Sequence, residues 1–161
     1  MVKTMAGILP WAAVLVVIGG VVWWLLSREM AAGRWLLAAL LIGHGVVHVL
    51  FAVPVPAATD GGAEWPFNMA RSWAITGAGL DANMVRIVGV ALITVVVVGF
   101  SLAALSTVGI LVPSGWWQPI VAVSAVTSAI LLVVFFEPQL VAGLGMDVAL
   151  LWVVVARAWM P

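Results

Sequence analysis

The sequence predicts an all-α, polytopic transmembrane bundle of five helices, and three observations carry that expectation. Of the 161 residues, 66% are hydrophobic and 7% charged, where an ordinary soluble domain carries about 25% charged residues. Five apolar runs each approach the ~20 residues needed to cross the hydrocarbon core. The tryptophans gather near the ends of those runs, where the two membrane interfaces would lie. Mean hydropathy is +1.30, so lipid is the expected solvent for most of the chain.

The first helix is expected over about 8–26. Lys3 precedes it, but the apolar stretch is long for a signal peptide and no small-residue cleavage site follows, so a retained helix is expected. It stops at Ser27-Arg28-Glu29. The second helix is expected over 35–53, ended by Pro54 and Pro56, which cannot continue a helix. Residues 57–83 form the one substantial loop. There Glu64-Trp65-Pro66-Phe67 and Arg71-Ser72-Trp73 mix aromatics with charges, as an interfacial segment does. Glu64, Arg71 and Trp73 are candidates for the rim of an entrance. The third helix is expected over 84–112, with Asp81 or Asn83 as N-cap. The fourth is expected over 116–136, with Pro119 in its first turn, and the fifth over 139–159. The whole chain, 1–161, reads as one integral membrane domain.

In this arrangement Trp23, Trp24, Trp35, Trp116, Trp117 and Trp159 share one interface. Trp11, Trp65 and Trp73 share the other, and Trp152 lies deeper. Arg28, Arg34 and Arg157 balance Lys3, Arg71 and Arg86 across the two sides. Placing the longer loop outside gives N-terminus out and C-terminus in, in a bacterial plasma membrane. Net charge is zero, which argues against nucleic acid as a partner. The expected partners are the bilayer and either another membrane protein or further copies of this chain. With no cysteine, disulfides, thiolate metal sites and cysteine nucleophiles are excluded.

Helices in lipid associate through close packing and interhelical hydrogen bonds. Small residues mark candidate contact faces: Gly19-Gly20, Gly43 and Gly45, Gly99 and Ala103, Ser124 and Ser128, Gly145 and Ala149.

His44 and His48, the only histidines, are one turn apart on one helix face. At 1.5 Å rise per residue, His44 lies roughly 15 Å and His48 roughly 9 Å from the Pro54 end. Asp147, in the last helix, comes out between them in depth, and Thr94 and Thr127 lie at comparable depth. A carboxylate at a helix centre costs about 2.5–3.5 kcal/mol on insertion scales, so Asp147 needs a proton, a cation or a donor. Four readings of this layer stand open: a His–Asp pair joining two helices; a proton-relay or ligand-binding site; a metal site of His44, His48 and Asp147, suited to zinc or ferrous iron; and haem held by one of these histidines. The function classes are a non-enzymatic accessory, small-molecule-binding or proton-handling module, and alternatively a small metal- or haem-dependent membrane oxidoreductase. The serines of the apolar helices, Ser101, Ser106, Ser124 and Ser128, are expected to bond carbonyls one turn back.

On His44-Gly45-Val46-Val47-His48, Trp65-Pro66-Phe67 and Ser72-Trp73, the chain resembles a set of small bacterial multipass membrane proteins. They share an HGxxH helix, a WPF…SW loop and an aspartate in an apolar last helix, here Asp147. The likeness runs from Arg34 onward. More distantly, the HGxxH helix is similar to that of DoxX-like membrane proteins, which are four-helix bundles. The resemblance implies a membrane bundle and brings no activity with it.

Overall fold

The computed structural model describes residues 2–55, 65–70 and 72–156, with side chains from residue 13 onward except 15 and 156. Among these residues the chain forms six α-helices and no strand. α1 spans Val2–Ser27, α2 Ala31–Val47, α3 Trp73–Gly77, α4 Ala82–Val108, α5 Trp117–Val134 and α6 Val141–Ala156. Single 3-10 turns continue α2 (His48–Ala52) and open α5 (Ser114–Trp116) and α6 (Pro138–Leu140). Four described segments are long and apolar enough to cross a membrane: Ala31–Ala52, Ala82–Val108, Ser114–Val134 and Pro138–Val155. Val16–Ser27 of α1 is a shorter apolar stretch.

The helix ends follow from local chemistry. Asp81 caps α4, accepting hydrogen bonds from the backbone of Asn83 and Met84, both at 2.9 Å. α4 stops at Val108, short of the expected 112. Gly109 takes the left-handed conformation (φ 72°), with Ile110 N–H donating to Leu105 O and Gly109 N–H to Ser106 O. That pairing closes a helix with two otherwise orphaned carbonyls satisfied. α1 ends in the same way with Glu29 at the left-handed position (φ 55°): Met30 N–H donates to Leu25 O and Glu29 N–H to Leu26 O. α2 begins at Ala31 rather than 35, directly after that closure, with only Arg28, Glu29 and Met30 between the two helices.

α4 packs between α2 and α5, α6 packs on α5, and α1 lies along α2 and touches the 138–140 turn and α6. Helices approach most closely where glycine sits between them. A Cβ on Gly45 would stand 3.0 Å from Phe100 Cβ, and one on Gly99 would stand 2.1 Å from Ser124 Oγ. Gly19, Gly20, Gly43 and Gly145 have open space beside them, so these glycines of the expected contact faces do not mark contacts. Trp23, Trp24, Trp35 and Trp116 are exposed, as interfacial residues are. Trp117 is not: it is fully buried and its Nε1 donates to Thr107 Oγ1 at 2.8 Å. Trp11 and Trp159 lie outside the residues whose side chains are described.

Within the expected loop, α3 docks on the bundle. Ser72 Oγ donates to Val134 O at 3.0 Å and Trp73 Nε1 to Val133 O at 2.7 Å. Those carbonyls belong to the last turn of α5, which has no intrahelical donors left for them.

The buried side chains form two apolar clusters. One gathers Leu41, Val96, Phe100, Val121, Ala125 and Leu150; the other gathers Phe51, Ile93, Leu131, Phe135 and Leu140. On three helices a polar residue stands between a member of each cluster: His44 and His48 between Leu41 and Phe51, Ser128 between Ala125 and Leu131, Asp147 between Leu140 and Leu150.

Candidate functional site

His48 sits where α2 tightens into its 3-10 turn. Its backbone N–H turns to Gly45 O and Val46 O. The carbonyl of His44, the α-helical acceptor one turn back, is left for the His48 ring, whose Nδ1 lies 2.8 Å from it. A carbonyl only accepts, so Nδ1 carries the proton of that bond. The change of helix type therefore fixes the ring and aims Nε2 at α5. There it meets Ser128 Oγ at 3.0 Å. The same hydroxyl lies 2.7 Å from Asp147 Oδ2, and Asp147 Oδ1 lies 2.8 Å from His44 Nε2. Asp147 and Ser128 are fully buried, His48 is 1% exposed and His44 8%. The His44 ring also stands edge-on to His48 and to Phe100, at 5.1 and 5.0 Å between centroids.

Hydrogen counting fixes the chemistry of this chain of bonds. Ser128 has one hydroxyl proton and two short contacts, to His48 Nε2 and to Asp147 Oδ2. Each contact needs a hydrogen, and neither a neutral His48 protonated on Nδ1 nor a carboxylate supplies the second one. One further proton must therefore sit on His48 Nε2 or on Asp147 Oδ2. The two arrangements, imidazolium with carboxylate and neutral imidazole with carboxylic acid, hold the same number of protons. They interconvert when His48 Nε2 gives its proton to Ser128 Oγ as the serine gives its own to Asp147 Oδ2.

His44, His48 and Asp147 are thus brought together, as their spacing and depth anticipate. Thr94 and Thr127 do not join them, each bonding back along its own helix. Thr94 is exposed and donates to Val90 O at 2.8 Å, while Thr127 donates to Val123 O at 2.8 Å. Ser128, one residue and about 100° around the helix from Thr127, takes the place assigned to it. Of the serines expected to bond back along their own helices, Ser101 and Ser124 do so. Ser106 instead donates to Pro113 O, and Ser128 joins the network. Arg86 lies exposed at the start of α4, apart from Asp147's partners.

For the metal reading, His44 Nδ1 is the one of the four ring nitrogens with no hydrogen bond among the described residues. His44 Nε2 and both nitrogens of His48 face protein atoms. Among the described residues no group of three or more ligand-type side chains is arranged to hold a metal ion. Facing a haem iron would cost three of the four ring nitrogens a hydrogen bond, His44 Nδ1 excepted. Trp73 is exposed at the end of α5, away from the layer, and Glu64 and Arg71, expected beside it at an entrance, lie outside the described residues.

A cleft of about 340 Å³ lies between α2 and α6 and reaches the edges of His44 and His48. Gly43 and Val47 line it from α2, Gly143 and Met146 from α6, and Phe67 from the loop. Gly143 is constrained by the walls: a Cβ there would stand 2.9 Å from Leu132 Cδ1 and 3.9 Å from His44 Cε1. Comparison with protein-family models, with curated proteins and with solved structures finds no match for the chain.

Proposed function

We propose that the chain is a five-span membrane protein, N-terminus outside, that handles protons without catalysing a covalent reaction. In this reading α1 is the fifth span, and His48, Ser128 and Asp147 are the working residues, with His44 orienting the carboxylate. The observation that carries it is the Ser128 hydroxyl, whose two hydrogen bonds require one proton shared between His48 and Asp147. Ionisable groups within membrane-spanning helices are rare and mark ion pathways and proton relays. The test is a potentiometric titration of the purified protein, wild type minus Asp147→Asn, at constant helix content. One reversible proton in the difference is the expected result, and no difference would overturn the reading.

A second reading is favoured by the same bonds. Because every member of the network has a partner, it also ties α2, α5 and α6 together, as polar groups do between membrane helices. That role accounts for the layer on its own if the titration shows no exchangeable proton. The metal- or haem-dependent oxidoreductase stands behind both, since three of the four histidine nitrogens it would draw on already have protein partners.

A further inference from the structure

The chain of hydrogen bonds through Asp147 has two ends, and they differ. At one end His48 Nδ1–H donates to the carbonyl of His44. A backbone carbonyl accepts a hydrogen bond but has no proton to pass on, so this end is closed. Between the ends, Ser128 and Asp147 are fully buried. At the other end stands His44, whose Nε2 lies 2.8 Å from Asp147 Oδ1. The carboxyl's own proton, where it has one, sits on Oδ2 in the bond to Ser128. Nε2 therefore carries the hydrogen of the His44 bond, and Nδ1 of the neutral ring is a bare acceptor. Nδ1 has no hydrogen bond among the described residues, and unlike Trp65 Nε1 and Gln139 Oε1 it keeps accessible surface.

His44 is a wall residue of the cleft between α2 and α6. Its Cε1, the ring carbon bonded to both nitrogens, would stand 3.9 Å from a Cβ on Gly143, in the α6 wall. His48 reaches the same cleft, but both of its nitrogens are bonded. The titratable groups that meet His44 are Asp147 and His48, the latter at 5.1 Å between ring centroids, while α4 presents Phe100.

We propose that His44 Nδ1 is the port through which the network exchanges protons with water, and that the cleft is its access route. The inference rests on the proton-handling reading and names the end of the network that is open. In the inward step, hydronium in the cleft gives a proton to His44 Nδ1 as Nε2 gives its own to Asp147 Oδ1. Asp147 Oδ2 then passes its proton to Ser128 Oγ, and the serine passes its original one to His48 Nε2. One proton has entered, water is left in the cleft, and the positive charge rests on the His48 imidazolium. All three hydrogen bonds survive with donor and acceptor exchanged, so no side chain has to move. The outward step is the reverse. The cleft suits intermittent access. Its volume of about 340 Å³ has room for about ten waters at ~30 Å³ each, and its walls are mostly apolar. Apolar passages gate by dewetting, so water reaches Nδ1 only in passing.

The test compares the full chain and Gly43→Leu in phosphatidylcholine bilayers with 15N-labelled histidine, the His44 signals being assigned by their loss in His44→Gln. Gly43 lines the cleft and a Cβ there meets nothing within 4 Å, so the leucine takes up open space and touches no bond of the network. On transfer from H2O to D2O, the ring hydrogen of His44 is expected to exchange before that of His48 in the wild type. Gly43→Leu is expected to slow the His44 exchange about tenfold or more, since a filled cleft must open before it can wet. The Asp147-dependent proton of the potentiometric titration should be the same in both chains, because the cleft sets the rate and not the equilibrium. Exchange at His48 first, or a His44 rate that Gly43→Leu leaves unchanged, would overturn the port while the shared proton stands. The order of exchange in the wild type decides by itself if Gly43→Leu does not fold. A wild type with no Asp147-dependent proton would remove the reading beneath the port, and the port with it.

Discussion

Asp147 and His48 are joined through a single hydroxyl, that of Ser128, 2.7 Å from Asp147 Oδ2 and 3.0 Å from His48 Nε2. The join links α2, α5 and α6 between two apolar clusters, and it holds only while a proton is shared across it.

Ser128→Ala removes the join and leaves two buried groups facing an apolar methyl. Each buried group left unpaired costs about 1–3 kcal/mol, so the variant is expected to lose about 2–6 kcal/mol. Ser101→Ala, which gives up only a bond to Val97 O, is expected to stay within about 0.5 kcal/mol of wild type. Thermal unfolding in mild detergent compares the two.

Asp147→Asn is expected to be far milder than Asp147→Ala. An amide can accept from His44 Nε2–H and donate to Ser128 Oγ, leaving the serine to donate to neutral His48. It reproduces the uncharged arrangement without a mobile proton, so stability should fall by about 1 kcal/mol or less. The alanine variant strands His44 Nε2–H, leaves Ser128 bonded to His48 alone and opens a cavity, so it should lose about 2 kcal/mol or more. Equal losses in the two variants would show that the carboxyl is not bonded as described.

Glycine substitutions should separate by the space beside them. Gly99→Ala drives a methyl onto Ser124 Oγ and is expected to cost about 1–3 kcal/mol. Gly145→Ala, with open space, should be neutral or stabilising by up to about 1 kcal/mol. The same unfolding measurement ranks them.

Much of the fold is legible in the sequence because the hydrophobic runs are long and their ends are chemically marked. Asp81 before an apolar stretch and Pro54 after another are local signals that need no partner. What the sequence leaves open is rotation about each helix axis. Depth follows from counting residues, which is why His44, His48 and Asp147 fall into one layer. The facing of a side chain depends on which neighbour each helix packs against. Thr127 and Ser128 differ by one residue in depth and by a third of a turn in direction, and depth alone selects the wrong one. The stripe Val121, Ser124, Ser128, Leu131, spaced at three and four, carries the missing information, since Ser124 and Ser128 mark the contact face. The break in α2 at His48 has no such signal: it becomes visible only when the ring is seen on the His44 carbonyl.

Sidedness is tested by single cysteines, which the natural chain lacks. Cysteine at Glu29 should react with an impermeant maleimide only after the membrane is opened, and cysteine at Gly61 should react from outside in intact cells. The reverse pattern would place the N-terminus inside.

The shared proton itself is read most directly by solid-state NMR of the protein in bilayers, with 15N-labelled histidine and 13C-labelled aspartate carboxyls. His48 and Asp147 are assigned by loss of their signals in His48→Gln and Asp147→Asn. The account predicts His48 with Nδ1 protonated, and either a carboxylic acid at Asp147 with Nε2 bare or a carboxylate with Nε2 protonated. An ionised Asp147 beside a His48 whose Nε2 carries no proton would contradict it, because the Ser128 hydroxyl would then have one hydrogen for two bonds.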